Sequence, residues 1–436
     1  MRVFMLGWEF PPFISGGLGT ACYGLTRGLD RLGTEVIFVL PRPVDESHAS
    51  HVQLVAPGIQ QPAAKRKLRR RKFGAPDFKH MQLLALEADI RPYVSPGPED
   101  ELEEGAAGDQ AKRKRGVRVL GLAGGPGGHY AGDLFAEVQR YASLACEAAA
   151  DENFDLVHAH DWMTYLAGIA VADMTGKPLV VHVHSTEFDR SGLHVNQRIY
   201  DIERAGMHRA ARVIAVSHLT RSVILQHYGV DPLKVDVVYN AIDDDGASRP
   251  PLPPIAQHEK IVLFLGRITM QKGPEYFLAA AKRVLEVMDN VRFIMAGSGD
   301  MIRRMIDLAH QMGIGHKVLF TGFLRGEDVR RVFRMADLYV MPSVSEPFGI
   351  APLEALANDV PVLISKQSGV SEILAHALKV DFWDVDEMAN KIVAVLRHPP
   401  LQATLRNHGR IEVQRLSWLD SAKNCLRVYE QALAEA

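Results

Sequence analysis

Cysteine is scarce in this sequence, and neither a long apolar run nor an excess of one charge is present. The three cysteines, Cys22, Cys146 and Cys425, form no CxxC pair, which excludes a disulfide framework and a zinc ribbon. No window approaches the roughly 18 unbroken apolar residues of a membrane span, and the first residues lack a signal-peptide core. We therefore expect a cytoplasmic protein.

The charge balance also limits the kinds of molecule that we expect the protein to bind. The chain has 50 basic and 52 acidic residues and a net charge of −2, which argues against a protein built mainly to bind nucleic acid. Its 436 residues, 47% of them apolar, are enough for two or three globular domains at roughly 100 to 200 residues each.

Short runs rich in Val, Ile and Leu alternate with segments of helical length along most of the chain. Continuous apolar strands that alternate with helices predict parallel sheets covered on both faces. A segment rich in Pro, Asp and Ala interrupts the pattern and indicates a linker. We predict two doubly wound Rossmann-like α/β domains that face each other across a cleft, with the following division: first domain 1–245, linker 246–258, second domain 259–417, and a last helix in 418–436 that crosses back to the first domain.

One stretch of the first domain, about 55–116, does not fit the alternation. It contains the basic run Lys65–Lys72, an acidic run from Pro98 and a second basic run from Ala111, with one short strand at MQLLALE. Blocks of like charge stay hydrated, so a solvated insertion is the favoured interpretation. A peripheral membrane or polyanion contact through Lys65–Lys72 is the alternative.

A glycine-rich turn follows the first strand. Gly16, Gly17 and Gly19 precede a segment with Leu25 and Leu29 at helical spacing, so a ligand anion could approach the backbone at a helix N-terminus. The pattern is not GxGxxG, and it has no acidic partner for an NAD ribose. A purely structural turn remains the alternative.

Two cations follow the first strand of the second domain. Arg267 and Lys272 stand in LGRITMQKG, directly after Gly266. Ligands of open parallel sheets bind at the carboxyl ends of strands, and these side chains suit a diphosphate. The alternative is two solvated surface cations.

The segment EPFGIAPLE carries two carboxylates around a strand-to-helix loop. Glu346 precedes a helix expected to begin near Gly349 or Ile350, and Glu354 lies inside that helix. Free N–H groups at the helix start can hold phosphate oxygens, and the carboxylates can accept hydrogen bonds from hydroxyls. A capped surface helix is the competing interpretation.

Two His-x-His pairs, His158 with His160 and His182 with His184, end neighbouring strands and could chelate zinc as in a metallohydrolase. This hypothesis leaves the second domain unexplained, so we expect no metal. Solvated carboxylates are likewise favoured over Mg²⁺ ligands at the two DxD pairs, Asp243 with Asp245 and Asp384 with Asp386.

Taken together, these motifs resemble those of retaining glycosyltransferases of the GT-B fold, the group that contains glycogen, starch, trehalose and sucrose synthases. The matching segments occur in the family's order: GGLG from Gly16, HAHDW from His158, YNAID from Tyr239, GRITMQKG from Gly266 and EPFGIAPLE from Glu346.

The resemblance implies a role for each matched residue. The catalytic set is Glu346 at the donor sugar, Arg267 and Lys272 at the diphosphate, and His160 at the sugar from the first domain. The expected donor-binding residues are Gly16, Gly17, Asn240, Gly266, Gly297, Phe348, Gly349, Ile350 and Glu354, with Glu354 at the ribose. No cofactor is implied, because the sugar nucleotide is a substrate.

The function expected from the resemblance is retaining transfer of a hexosyl group, favouring glucose, from ADP- or UDP-glucose to an α-glucan. The partners are therefore a nucleotide-sugar donor and a carbohydrate acceptor. The alternatives are another acceptor (a small sugar, a lipid or a surface polysaccharide), a zinc metallohydrolase and a silent sugar-nucleotide binder.

Overall fold

Two sheets organise the protein in the computed structural model, which describes residues 1–11, 16–41, 71–74, 79–86, 134–242 and 259–435. Among those residues, no helix combines the length and apolar character needed to cross a membrane. Most of the charged stretch 55–116, the linker 246–258 and the pair Asp243 and Asp245 lie outside the described ranges.

The first sheet has eight strands in the order β3-β4-β2-β1-β5-β6-β7-β8. All neighbours are parallel except β3, which pairs antiparallel with β4 at the edge. The strands are rich in buried Val, Ile and Leu because helices cover both faces of the sheet. Their bounds are β1 Arg2–Leu6, β2 Glu35–Leu40, β3 Arg71–Gly74, β4 Met81–Ala85, β5 Leu156–His160, β6 Leu179–Val183, β7 Arg212–Ala215 and β8 Val235–Val237.

Helices connect these strands in βα alternation. A large core on one face includes Tyr141, Trp162 and Tyr165, all nearly inaccessible to water. The helices are α1 Gly17–Arg31, α2 Leu134–Ala149, α3 Trp162–Thr175, α4 Glu187–Ser191, α5 Gln197–Arg209 and α6 His218–Val223.

The second sheet has six parallel strands in the order β11-β10-β9-β12-β13-β14. They are β9 Lys260–Leu265, β10 Val291–Ala296, β11 Val318–Gly322, β12 Leu338–Met341, β13 Val362–Ser365 and β14 Leu378–Val380. The remaining helices are α7 Pro274–Leu285, α8 Ile302–Gln311, α9 Glu327–Met335, α10 Ala351–Ala357, α11 Val385–Arg397, α12 Pro399–Gln414 and α13 Trp418–Ala434.

The last helix, α13, packs on α1 of the first domain. A Cβ added to Gly24 of α1 would lie 2.1 Å from the Trp418 ring, and one added to Gly28 would lie 2.4 Å from the Trp418 carbonyl oxygen. The absence of these side chains therefore allows the helices to approach closely. Ser421 also donates a hydrogen bond of 2.7 Å to the Tyr239 carbonyl at the end of the first domain.

The predicted α/β class with two doubly wound sheets is confirmed. Three local features differ from the sequence analysis. Arg71 and Lys72 lie in the edge strand β3, which was not predicted, and β14 was not predicted either. Helix α1 already begins at Gly17, so Gly17 and Gly19 lie inside the helix and not before it.

Candidate functional site

The loop after β12 makes hydrogen bonds to residues of the first domain. Ser345 Oγ donates a hydrogen bond of 2.6 Å to Asp189 Oδ1 on α4, and Ser217 Oγ donates one of 2.5 Å to the Pro347 carbonyl. Thr220 Oγ1 donates to the same carbonyl at 3.2 Å. The residues on either side of Glu346 are therefore held against the first domain.

A second cross-domain contact lies beside this loop. The Glu372 carboxylate accepts hydrogen bonds from the backbone N–H of His218 at 3.0 Å and of Leu219 at 2.7 Å. It also accepts a hydrogen bond of 3.0 Å from the Tyr239 hydroxyl. Like the Pro347 carbonyl, Glu372 therefore connects the second domain to the start of α6.

Lys272 and Glu346 form an ion pair at this junction. Lys272 Nζ lies 2.5 Å from Glu346 Oε2, and Ser343 Oγ donates to the same oxygen at 3.2 Å. The side chains are only 20% and 8% exposed. Helix α4 contacts the short turn Met270–Lys272, so the pair lies where both domains meet and where both charges are poorly hydrated.

Gly266 and Gly297 lie close together at the carboxyl ends of β9 and β10. A Cβ at Gly297 would lie 1.9 Å from the Gly266 carbonyl oxygen, and Gly297 has a φ of +142°. Any side chain there would push the two strand ends apart. Arg267 directly follows Gly266 in the sequence and is partly buried.

The loop Glu346–Ile350 leads into α10. Phe348 is 3% exposed, Gly349 has a φ of +101°, and Ile350 is the N-cap. Glu354 lies in the first turn of α10, nearer the helix start than the sequence indicated. Burial raises the pKa of its carboxyl from 4.5 to about 6, and among the described residues no group donates a hydrogen bond to that carboxylate.

The start of α1 lies at the opposite sheet. Gly16 is its N-cap, and a Cβ at Gly17 would have no atom of the described residues within 4 Å. Sequence reasoning missed Glu9, whose Oε2 accepts the Gly19 N–H at 3.1 Å and which is 3% exposed. A carboxylate a few residues before a glycine-rich helix start was the signal that could have identified it.

His160 lies at the end of β5 and is fully buried. Its Nδ1 lies 2.9 Å from His184 Nε2. Burial and the neighbouring imidazoles lower its pKa well below the ordinary value. The ring is therefore neutral near pH 7.

Asp161, a second residue that sequence reasoning missed, connects the ends of β5 and β6. Its carboxylate accepts the backbone N–H of His184 at 2.8 Å and of Ser185 at 3.3 Å. Its φ of +60° is unfavourable for a residue other than glycine, and burial raises its pKa to about 7. No local sequence pattern predicts this backbone conformation.

A buried charge network holds α4 in place. Arg190 Nε lies 3.1 Å from Glu187 Oε2, and Arg190 Nη2 lies 2.5 Å from Glu203 Oε1. The Tyr228 hydroxyl donates to Glu203. Because α4 carries Asp189, this network positions the cross-domain hydrogen bond to Ser345.

The sequence analysis also named Asn240 as a donor-binding residue and the second DxD pair as solvated carboxylates. Asn240 is buried just after β8, and within the described ranges no hydrogen bond joins it to Lys272 or Glu346. Asp384 caps α11 by accepting the Glu387 N–H, and Asp386 pairs with Arg283 at 3.1 Å. These two carboxylates of the second DxD pair have separate partners.

The chain matches two protein-family models, one over each domain. Residues 93–245 match Glycosyltransferase Family 4, and residues 251–412 match the model described as Glycosyl transferases group 1. The chain therefore belongs to the GT-B glycosyltransferases that combine these two domains.

Three curated relatives illustrate the range of this family. An uncharacterized glycosyltransferase of Methanocaldococcus jannaschii is 28% identical over 99% of both chains. A D-inositol 3-phosphate glycosyltransferase of Gordonia bronchialis is 29% identical over 69% of this chain and 72% of the relative. The glycogen synthase of Mycobacterium tuberculosis is 25% identical over 98% and 94%.

Solved structures with the same fold cover the whole chain. Sucrose-phosphate synthase from Thermosynechococcus elongatus superposes with a TM-score of 0.72, 18% identity and complete coverage of both chains. Anabaena HepE, solved in complex with UDP-glucose, gives a TM-score of 0.66 at 18% identity and covers 99% of this chain and 98% of its own. At such identities the likeness shows the GT-B fold.

Proposed function

We propose that the protein is a retaining hexosyltransferase that moves glucose from ADP-glucose or UDP-glucose to the non-reducing end of an α-glucan. Binding of a nucleotide-sugar donor is supported by the poorly hydrated Lys272–Glu346 pair at the domain junction. A diphosphate and a sugar hydroxyl are the ligands that would draw these two groups apart.

In this reaction the C1–O bond to the diphosphate breaks, a bond from C1 to the acceptor oxygen forms on the same face, and the acceptor proton passes to the departing phosphate. Lys272 and Arg267 stabilise the charge that develops on that phosphate, which is the main electrostatic contribution to the rate. Glu346 and His160 hold hydroxyls of the donor sugar, and Glu354 holds the ribose.

Support for a glucan acceptor comes from the glycogen synthase relative, which aligns over 98% of this chain. The second candidate is an anionic acceptor, supported by the D-inositol 3-phosphate glycosyltransferase relative and by the basic run Lys65–Lys72. A neutral glucan gives those basic residues no electrostatic partner, whereas a phosphorylated acceptor does.

The test is release of nucleoside diphosphate from ADP-glucose and UDP-glucose in the presence of glycogen, small sugars, inositol phosphates or lipid extracts. We expect release only when an acceptor is present, and an α-anomeric product by proton NMR. A β-anomeric product contradicts the retaining mechanism. Binding of donor without release under any acceptor contradicts transferase activity altogether.

A variant of the basic run tests whether the acceptor is a neutral glucan or an anionic molecule. Replacement of the basic residues in Lys65–Lys72 by Ser should leave transfer to soluble glucan nearly intact, because a neutral glucan has no charge for them to bind and because water and salt screen charges beyond about 8 Å. Loss of most glucan transfer in that variant, together with a similar loss in the parent protein at high salt, favours the anionic acceptor instead.

A further inference from the structure

Four histidine rings from two neighbouring strands form one cluster in the first domain. His158 and His160 project from β5, and His182 and His184 come from the end of β6. The ring centroids are 4.2 Å apart within each pair, and those of His160 and His182 are 5.2 Å apart. We call this group the histidine cluster. The proposed reaction uses only His160 of the four.

Several nitrogens of the histidine cluster have no partner in the described part of the chain. His158 Nδ1 lies 2.7 Å from the Tyr429 hydroxyl of α13, and His160 Nδ1 lies 2.9 Å from His184. In contrast, His158 Nε2, His160 Nε2 and both ring nitrogens of His182 are buried without a hydrogen bond to any described residue. Buried polar atoms are normally satisfied, so these orphaned nitrogens indicate a ligand.

The side-chain type of the histidine cluster suits a metal ligand. Neutral imidazole is the form that coordinates metals, and late first-row divalent ions prefer it, whereas Mg²⁺ and Ca²⁺ prefer oxygen.

We propose that His158, His160 and His182 bind one divalent ion of the zinc class and that the bound ion withdraws His160 from the donor sugar, so that the ion inhibits transfer. The inhibitory part rests on the proposed function. One nitrogen from each of the three rings lies within 4.8 Å of the others. Tetrahedral zinc at about 2.0 to 2.1 Å needs separations of about 3.3 Å, so the rings must rotate to bring these nitrogens closer when the ion binds.

A second set of ligands, Cys22 with His160 and His184, also lies within 4.8 Å. His184 Nε2 already lies at hydrogen-bond distance, 2.9 Å, from His160 Nδ1, whereas each ring of the all-histidine set has a nitrogen without a partner among the described residues. The set with Cys22 is therefore disfavoured. A cobalt-thiolate charge-transfer band in the near ultraviolet would distinguish it from the all-histidine set.

The experiment is titration of the metal-free full-length protein with Co²⁺, followed by its visible absorption. We expect about one bound ion per chain. The His182→Phe variant should bind at least about tenfold more weakly, because phenylalanine keeps the ring packing but offers no ligand. The matched control is His376→Phe, since the exposed His376 packs on His408 outside the cluster.

Zinc is then added to the transferase assay. We expect inhibition of the wild type and of His376→Phe, and activity of His182→Phe at the same zinc concentration. Loss of Co²⁺ binding in His376→Phe with retention in His182→Phe overturns the proposal, because the ion is then bound at the surface pair.

A measurement on the unmodified protein guards against failure of His182→Phe to fold. X-ray absorption of the zinc-loaded wild type should show a nitrogen shell with imidazole scattering. Sulfur in that shell, or the absence of binding, refutes the all-histidine site. Because absorption reports the ion directly, failure to find any transferase activity refutes only the inhibitory part and the proposed function.

Discussion

Replacement of Glu354 by Gln should stabilise the free protein and weaken its binding of the donor. In the free protein the carboxylate is partly buried in the first turn of α10, and no group described in the structure donates a hydrogen bond to it. Burial raises its pKa from 4.5 to about 6. Gln is similar in shape and has no charge, so the variant removes the desolvation penalty and leaves the packing nearly unchanged.

The sign and size of the effect follow from the pKa. An acid with a higher pKa in the folded state destabilises the protein when ionised, so stability is lost as pH rises from about 4.5 through 6. The difference between those pKa values corresponds to about 2 kcal/mol. The glutamine amide of the Glu354→Gln variant is itself partly desolvated, so we expect a gain of about 1 to 2 kcal/mol in the free energy of unfolding above pH 7 and none near pH 4.5.

The assay is urea denaturation of wild type and Glu354→Gln at pH 4.5, 6 and 7.5. Glu387→Gln is the matched control, because Glu387 also lies in the first turn of a helix, α11, but is 46% exposed. Its curve should follow the wild type within about 0.5 kcal/mol. An equal stability difference for Glu354→Gln at every pH refutes the burial argument.

Donor binding should change in the opposite direction. In the proposed donor site an ionised Glu354 accepts hydrogen bonds from both ribose hydroxyls. The variant should therefore bind ADP and UDP more weakly at pH 7.5, measured by calorimetry. A terminal phosphate itself titrates near pH 6, so only the difference between wild type and variant is informative. Equal affinities at pH 7.5 remove Glu354 from the donor site.

Glycines of α1 and cations of the second domain supply the remaining predictions. Gly24→Ala, with its Cβ 2.1 Å from the Trp418 ring, should lower the free energy of unfolding by about 1 to 3 kcal/mol. Gly17→Ala has open space around its Cβ and should unfold like the wild type but raise KM for the donor; identical unfolding of both variants contradicts the α1–α13 packing. Lys272→Met should lower kcat about 100-fold, whereas Lys260→Met, which breaks a surface pair, should not. Unchanged turnover in Lys272→Met excludes this lysine from catalysis.

Most of the sheet architecture could be predicted from the sequence because its strands are apolar on both faces. β1, β2, β5 and β6 are continuous runs with buried side chains on both sides, and that pattern is visible without neighbours. β14, with the sequence LKV, and β3, with RKFG, carry no such pattern. They are strands because β13 and β4 offer them hydrogen bonds.

The site could be predicted only as far as topology places residues. Parallel strands bring Lys272 and Glu346 to one edge of the second sheet, and the structure pairs them at 2.5 Å. The hydrogen bond between Ser345 and Asp189 joins residues 156 positions apart. Polar residues this distant share no local spacing, so this contact needed the three-dimensional structure.

The position of Glu9 determines how much positive charge the start of α1 can present to a phosphate. A helix N-terminus carries roughly half a positive charge, and at α1 the Glu9 carboxylate already accepts the Gly19 N–H and lies 4.0 Å from a Cβ built at Gly16. A phosphate about 4 Å from that carboxylate meets a repulsion on the order of 1 to 4 kcal/mol, depending on hydration. The start of α1 therefore offers a phosphate little net positive charge, and in the proposed mechanism the second domain supplies the positive charge. This is why the proposed mechanism assigns the departing diphosphate to Arg267 and Lys272, and why it depends on the contacts that hold the two domains together.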